Sequence, residues 1–211
     1  MFIQILIDNK DSWIIKYSKI LIGRITELGH KVELIHESKK VKKGDILFLL
    51  SCEKVFKRLN LNKHNIVVHE SDLPKGRGFS PLTWQILEGK NKIPITLFEA
   101  NPKIDSGDIY FQESINLFGN ELIDEIRKHQ FEKTLKLILN FIDKIENLNP
   151  IPQTGKVSSY KRRTRLDSRL DINKSINEQF NLLRVVDNNR YPAFFKKDNI
   201  EYIIKIYKKK I

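Results

Sequence analysis

The chain has 211 residues, of which 40% are hydrophobic, and its formal net charge at pH 7 is +12. This composition can bury the core of one substantial domain with a smaller appendage, which excludes a disordered chain. No apolar run approaches the ~20 residues that a membrane span requires. Residues 2–7 read as a first strand rather than an export signal, so we expect a cytoplasmic protein that does not enter a membrane.

The cysteine content and the distribution of charge limit the kinds of site and partner that the protein can have. The single cysteine, Cys52, cannot form an internal disulfide and has no second thiol nearby for a zinc site, so no metal is expected. Positive charge concentrates from residue 151 onward, where 15 Lys and Arg stand against 6 Asp and Glu. Such a segment suits either a nucleic acid or a diphosphate, and charge alone does not separate the two.

Hydrophobic periodicity sets out the elements in chain order. Short β-branched or aromatic runs alternate with longer amphipathic runs, which predicts an α/β domain with a largely parallel sheet. The predicted strands are 2–7, 32–36, 46–51, 65–69, 95–99 and 109–113. The predicted helices are 12–28, 81–87 and 121–145. The first strand leads into a turn without glycine, and no P-loop is present, which argues against an NAD enzyme and against simple ATP or GTP hydrolysis.

A break in the helical pattern follows the third predicted helix. Pro150, Pro152 and Gly155 cannot extend a helix, so this stretch reads as a linker. We therefore expect a main domain over 1–148 and a small C-terminal region over 149–211.

The C-terminal region is expected to contain a helix at 175–186 and a hairpin at 193–207. The hairpin should turn at Asp198 and Asn199, which are typical turn residues. Exposed apolar residues of this hairpin are candidates for a homodimer contact.

The most informative feature lies at the end of the fourth predicted strand. His69 closes this apolar strand and opens the loop Glu-Ser-Asp-Leu-Pro-Lys-Gly-Arg-Gly-Phe-Ser-Pro. Asp105, in the segment Asp-Ser-Gly-Asp-Ile, follows the next predicted strand. An α/β domain assembles acid and base residues at its sheet edge in this way, so the pair predicts an enzyme. Taken singly, His69 is better interpreted as a structural histidine, and Asp105 equally well as a turn residue.

These two segments, with Phe-Asn-Leu-Leu-Arg at 180–184 and Tyr-Pro-Ala-Phe-Phe at 191–195, resemble motifs of the 10-formyltetrahydrofolate-dependent formyltransferases. That family includes methionyl-tRNA formyltransferase, glycinamide ribonucleotide transformylase and the nucleotide-sugar N-formyltransferases, and the resemblance is closest to the last group. It implies a Rossmann-like formyltransferase domain, followed by a short helix and β-hairpin extension. It also implies that His69 and Asp105 are catalytic. The family has an Asn two residues before the histidine, where this chain has Val67.

The chemistry explains these residue types. Formyl transfer to an amine needs an unprotonated nitrogen, a donor for the developing oxyanion and a route for the amine's proton. Histidine suits the last two tasks at neutral pH, so we assign them to His69 and assign orientation of its ring to Asp105. Losing one oxyanion donor typically costs ~10²–10³ in turnover, so another group must replace the family's Asn. Ser51 is the first candidate, with Ser71 or a backbone N–H as alternatives.

The resemblance further implies where two substrates bind. The formyl donor, 10-formyltetrahydrofolate, is expected at Glu53, Val55, Phe56, Glu99, Ala100, Lys103 and Ile104. The acceptor is expected at Ser71, Lys75, Gly76, Arg77, Arg162 and Arg163. Arginines at the acceptor site can neutralise a diphosphate.

The predicted function is therefore N-formylation of a UDP- or dTDP-linked amino-dideoxy sugar for a surface polysaccharide. The compact length favours this over a methionyl-tRNA formyltransferase, whose larger C-terminal barrel holds tRNA. Three alternatives stay open. They are methionyl-tRNA formyltransferase, a formyltetrahydrofolate hydrolase and, least favoured, a nucleic-acid-binding module without catalysis. The expected partner is therefore a nucleotide-linked amino sugar and not a nucleic acid.

Overall fold

The computed structural model describes residues 1–209. Its strands in chain order are β1 Phe2–Leu6, β2 Lys31–Ile35, β3 Gly44–Leu49, β4 Asn62–His69, β5 Arg77–Gly78, β6 Lys92–Glu99, β7 Ile109–Asn116, β8 Ser159–Tyr160, β9 Ala193–Lys197 and β10 Ile200–Ile204. Its α-helices are α1 Ile15–Glu27, α2 Pro81–Leu87, α3 Ile123–Lys144 and α4 Phe180–Val185. Among these residues, no helix combines the length and hydropathy needed to cross a bilayer.

Six strands form the central sheet, in the order β2-β1-β3-β4-β6-β7. The first four pair in parallel, whereas β6 pairs antiparallel with both β4 and β7. Five strands therefore share one direction and β6 alone opposes them, which confirms the predicted mostly parallel sheet. Each strand and helix predicted for the first 148 residues is present, with ends that shift by at most three residues.

The two faces of the sheet are covered differently. On the helix face, inward residues of β1 and β3 such as Ile5 and Phe48 pack against α1, α2 and α3 in the larger core cluster. On the loop face, a smaller cluster that includes Leu47 and Leu49 packs under the 3₁₀ turns Ser38–Lys40 and Leu59–Leu61 and the loops beside them. This division follows from strand geometry, since alternate residues point to opposite faces.

The C-terminal region packs onto the main domain. Ile151 forms a bridge with Ile109, β8 pairs with β5, and Val185 of α4 joins the larger core cluster. The predicted helix over 175–186 is shorter than expected, because α4 begins at Phe180 after a series of turns. The boundary at residue 148 stays a prediction, and residues 210–211 of the predicted C-terminal region lie outside the described residues.

The last two strands form the predicted hairpin. β9 and β10 pair antiparallel, and the two residues between them are Asp198 and Asn199. Both have positive φ, 49° and 63°, which is the conformation that a two-residue type I′ turn requires. The predicted turn is therefore confirmed.

Arg184 ties α4 to the start of α3 and is only 1% exposed. Its guanidinium donates to the side chain of Glu121 at 3.2 Å, to the main-chain oxygen of Glu121 at 3.2 Å and to Asn91 Oδ1 at 3.0 Å. Burial opposes ionisation of Glu121, but amide hydrogen bonds from Phe118 and Gly119 and the Arg184 charge lower its pKa. The pair is thus a buried, fully hydrogen-bonded ion pair.

Replacing Arg184 tests this anchor. Arg184→Met leaves the Glu121 carboxylate buried without its cation, and we expect the free energy of unfolding in urea to fall by about 3–5 kcal/mol. Lys16→Met is the matched control, because it removes one partner of the exposed Lys16–Asp124 pair and should cost less than ~1 kcal/mol. Equal small losses in both variants would contradict the anchoring role of Arg184.

Candidate active site

A cavity of about 500 Å³ opens where β3 and β4 end. This volume is in the range of small-molecule sites. The cavity extends from the loop face, past the carboxyl ends of these two strands, to the side of α1 and α3. Its lining on the loop face includes Leu49, Val55, Phe56, Val67, Ala100 and Ile104. Its lining on the helix face includes Ser12, Trp13, Ile123, Arg127, Gln130 and Thr134.

His69 is the last residue of β4, is 7% exposed and lines the cavity. Its Nε2 is 2.9 Å from the carbonyl oxygen of Gly76 and 3.8 Å from Oδ2 of Asp105. Because a carbonyl oxygen only accepts, the first contact places a proton on Nε2 and leaves the lone pair of the neutral ring on Nδ1. The ring therefore has a defined tautomer and a neighbouring carboxylate.

Asp105 reaches His69 by a route that the sequence did not suggest. β6 runs antiparallel to β4, and its last residue, Glu99, pairs with Ile66, three residues or about 10 Å before His69. The chain then returns through residues 100–107 and brings Asp105 back to the carboxyl end of β4. The two side chains do meet, but the expectation that both follow strand ends at one sheet edge is wrong.

The returning segment, 100–107, is held by close contacts. A Cβ on Gly107 would lie 1.7 Å from the main-chain oxygen of Glu99, so only glycine fits there. Gln153 Nε2 donates to the main-chain oxygens of Asp105 and Gly107, at 3.1 Å and 2.8 Å. The Gly78 N–H donates to Asp105 Oδ2 at 2.8 Å. Gln153, which lies in the predicted linker, thus helps to position the carboxylate.

The cavity wall beside His69 is apolar, because Val67 occupies the position where the formyltransferase motif has an Asn. Val67 lines the cavity and packs against the loop-face cluster. Ser51 also lines the cavity, with φ of 51°, and its Oγ accepts a hydrogen bond from Ser12 Oγ at 3.0 Å. The hydroxyl hydrogen of Ser51 is thus available to donate elsewhere. Ser71, the alternative donor, is 1% exposed and does not line the cavity.

The loop face holds most of the residues predicted to bind the formyl donor. Those that line the cavity are Glu53, Val55, Phe56, Ala100 and Ile104. Val55 is 51% and Ile104 48% exposed, so this wall presents apolar side chains that a flat ring could cover. Glu99 and Lys103 do not line the cavity, because Glu99 accepts from the Asn65 N–H and Lys103 points to solvent.

The residues predicted to bind the acceptor separate into two groups. Arg162 and Arg163 line the cavity, whereas Ser71, Lys75, Gly76 and Arg77 do not. Arg77 is buried and donates to Gln153 Oε1 at 2.6 Å, and the Gly76 carbonyl is occupied by His69. Their contact with the acceptor stays a prediction, although Gly78, Phe79 and Ser80 of the same loop do line the cavity. Gly76 and Arg77 instead contact His69 and Gln153.

Sequence reasoning missed several polar residues that line the cavity, among them Glu70, Arg127, Gln130, Asp187 and Arg190. Arg127 forms a 2.7 Å ion pair with Asp187, and Arg190 lies 3.4 Å from the Glu53 carboxylate. Glu70 alone carried a sequence signal, because it follows His69 within the motif. The others reach the cavity from α3 and the segment after α4, and no local pattern predicts that packing.

Comparison with known protein families identifies the class to which this chain belongs. The formyl transferase family matches residues 29–142, which is more than half of the chain. The chain is therefore a member of the formyl transferase family.

Two relatives that are similar in sequence have different names. A methionyl-tRNA formyltransferase from Ehrlichia canis (strain Jake) is 30% identical over 118 residues, which are 56% of this chain and 39% of that protein. The bifunctional polymyxin resistance protein ArnA from Wigglesworthia glossinidia brevipalpis is 33% identical over 157 residues, 68% of this chain and 23% of that protein. The chain spans about half the length, or less, of the curated relatives it matches.

Solved structures share the fold. Methionyl-tRNA formyltransferase from Clostridium thermocellum superposes with a TM-score of 0.80 at 23% identity, covering 100% of this chain and 94% of that one. A 4-N formyltransferase from Francisella tularensis gives 0.76 at 20% identity, covering 100% and 98%. HypX from Aquifex aeolicus in complex with tetrahydrofolic acid gives 0.81 at 18% identity, covering 97% and 37%. The predicted Rossmann-like formyltransferase fold is confirmed.

Proposed function

We propose that this protein transfers the formyl group of 10-formyltetrahydrofolate to the amine of a nucleotide-linked amino sugar. The proposal rests on the cavity. It holds His69 and Asp105, an apolar wall on the loop face that includes Val55 and Ile104, and an arginine-rich wall formed by Arg162 and Arg190. Membership of the formyl transferase family supports the chemistry. The cavity volume of about 500 Å³ supports a small acceptor.

The apolar wall suits the formyl donor. A pterin is flat, and covering Val55 and Ile104 with it would remove exposed apolar surface from water at about 25 cal/mol per Å². Phe56 and Ala100 extend the same wall. The structural similarity to HypX, which was solved with tetrahydrofolic acid, supports a folate as the formyl donor.

The arginine-rich wall suits a diphosphate. Arg162 donates to the main-chain oxygen of Glu53 at 2.9 Å, and Arg190 pairs with the Glu53 carboxylate. Both guanidinium groups line the cavity, and their contacts are partly exposed, so phosphate oxygens can compete for them. The structural similarity to a sugar N-formyltransferase from Shewanella sp FDAARGOS_354 supports an amino sugar as the group that follows the diphosphate.

The tautomer of His69 suggests a role for each member of the His69–Asp105 pair. As the acceptor nitrogen attacks the formyl carbon, Nδ1 of His69 accepts the proton that the nitrogen loses. The imidazolium that forms is stabilised by Asp105, whose carboxylate lies 3.8 Å from Nε2. We assign oxyanion donation to Ser51, because it lines the cavity and its Oγ accepts from Ser12, which leaves its own hydrogen free to donate.

Methionyl-tRNA formyltransferase is the second candidate function. The names of the relatives by sequence favour it, as does the excess of Lys and Arg after residue 151. A tRNA acceptor would bind with a steep dependence on salt, whereas a nucleotide sugar would not.

The reaction is tested first with a panel of UDP- and dTDP-linked 3-amino and 4-amino sugars. Incubated with 10-formyltetrahydrofolate, the wild type should formylate at least one sugar, as measured by mass spectrometry. His69→Ala should lower that turnover by about 10²–10⁴, because it removes the proton acceptor. Charged initiator tRNA and acceptor-independent formate release are the parallel arms. Product in either arm, with none on any sugar, would contradict the proposed acceptor.

Arg162 tests the diphosphate site. Arg162→Ala should raise KM for the nucleotide sugar by about tenfold with little change in kcat, because one charge-assisted contact to phosphate is lost. Lys161→Ala is the matched control, since Lys161 pairs with Asp167 and lies over the ring of Trp84 outside the cavity. If both variants raise KM equally, general surface charge and not the cavity arginine binds the acceptor.

Ser51 and Val67 test how this chain replaces the family's Asn. Ser51→Ala should lower kcat by about 10²–10³, because it removes an oxyanion donor. Adding Val67→Asn to Ser51→Ala places an amide on the same wall and should restore much of that loss. Ser38→Ala, outside the cavity, is the control. Wild-type turnover by Ser51→Ala would show that Ser51 has no such role.

A further inference from the structure

We propose that Glu70 binds the ammonium group of the acceptor and takes its first proton, which releases the neutral amine for attack. The inference rests on the proposed function, but it concerns the acceptor amine and not the sugar that carries it.

The first support is the position of Glu70 in the lining of the cavity, next to His69. Along β4, Val67 packs on the loop face, whereas Ile66 and Val68 pack on the helix face. By the same alternation His69 faces the side of the apolar wall and Glu70, directly after it, turns to the helix face. The carboxylate therefore lies on the side of α3, one residue from His69.

The contacts of Glu70 fix its position and leave one oxygen available. Gln130 of α3 donates to Glu70 Oε1 at 2.6 Å, and Gln85 of α2 donates to the main-chain oxygen of Glu70 at 2.6 Å. Both glutamines are buried. Within residues 1–209, no hydrogen bond from another residue uses Glu70 Oε2. The carboxylate is thus held by Gln130 through Oε1 and also accepts from its own main-chain N–H, while Glu70 lines the cavity.

Charge balance gives the second support. Four carboxylates line the cavity, and three of them have a positively charged or ionisable partner in the protein. Glu53 pairs with Arg190, Asp187 with Arg127, and Asp105 lies beside His69. Over residues 1–209, no Lys or Arg nitrogen lies within 4.0 Å of the Glu70 carboxylate. A carboxylate left without a cation in a cavity matches a ligand that brings one, such as an ammonium group.

The environment of Glu70 also suits proton acceptance. Burial raises the pKa of Glu70, while the nearby His69 charge and the hydrogen bond from Gln130 lower it and Asp105 raises it further. The net shift is upward, which makes the carboxylate a better base than an exposed glutamate.

The proton steps balance as follows. The acceptor arrives as R–NH3⁺, and one proton passes to Glu70, which becomes a carboxylic acid. The lone pair of R–NH2 forms a bond to the formyl carbon, and the bond from that carbon to N10 of the folate breaks. His69 takes the second proton from the attacking nitrogen and delivers it to N10. Glu70 then returns its proton to solvent, so the products are R–NH–CHO, tetrahydrofolate and one proton.

The test compares Glu70→Gln with the wild type on the acceptor that the wild type formylates. Glutamine keeps an oxygen for Gln130 but has neither the charge nor the basicity. We expect kcat/KM to fall by about 10²–10⁴ while the melting temperature stays equal or rises, because a buried carboxylate is costly. Glu113→Gln is the control, since Glu113 pairs with Lys133 and Lys136 outside the cavity and should keep wild-type turnover.

Ligand binding separates recognition of the ammonium from a structural role. Glu70→Gln should weaken binding of the amino sugar and leave unchanged the Kd of the analogue that carries a hydroxyl in place of the amine. Wild-type turnover in Glu70→Gln, or an equal loss of affinity for both ligands, would overturn the proposal.

The same variants distinguish this inference from the proposed function. If the wild type formylates no nucleotide sugar, the sugar acceptor is wrong, and the comparison is made with methionyl-tRNA, whose acceptor is also an amine. A loss in Glu70→Gln would then still support the role of Glu70, whereas unchanged turnover would overturn it.

Discussion

The return of the chain after β6 is the constraint on which the site depends. Since β6 runs antiparallel to β4, its end lies about 10 Å from His69, and only the tight segment 100–107 brings a carboxylate back. That segment closes because Gly107 leaves room for the Glu99 carbonyl, and it is held by Gln153 from a separate part of the chain. The C-terminal region is therefore part of the site's support.

The two-sided cavity follows from the same sheet. Alternation along β4 turns His69 toward the apolar loop face and Glu70 toward the helix face, where α3 and the segment after α4 supply Arg127 and Asp187. One strand end thus separates a wall suited to a flat apolar ring from a wall suited to an anionic, amine-bearing acceptor. Under the proposed function, the formyl donor and the acceptor meet at this strand end, beside His69 and Asp105.

Local signals predicted much of this architecture. Periodicity located each strand of the main sheet, and the motifs around His69 and Asp105 identified the family, because both depend on residues close in sequence. The direction of β6 was not predictable, since an apolar strand looks the same in either orientation. Gln153 and Arg127 were missed for a related reason. A polar residue in a linker or on a helix gives no sign of the distant loop that it will contact.

In the loop after His69, the position of Arg77 differs from the expectation that it lines the acceptor site. Arg77 lies between two glycines, a pattern that suggests close approach to a ligand, yet its side chain is buried against Gln153 and supports the site from behind. Sequence places a charge near a site but does not fix the side on which its side chain points. Val67 is the converse case, because the sequence marked it as a departure from the family and the cavity wall is apolar there.

The arrangement of the two substrates is tested most directly by a crystal structure with tetrahydrofolate and a nucleoside diphosphate, UDP or dTDP, bound together. We expect the pterin against Val55, Phe56 and Ile104, the diphosphate at Arg162 and Arg190, and His69 between the two ligands. A folate bound on the helix face, or a diphosphate bound away from the cavity arginines, would contradict it.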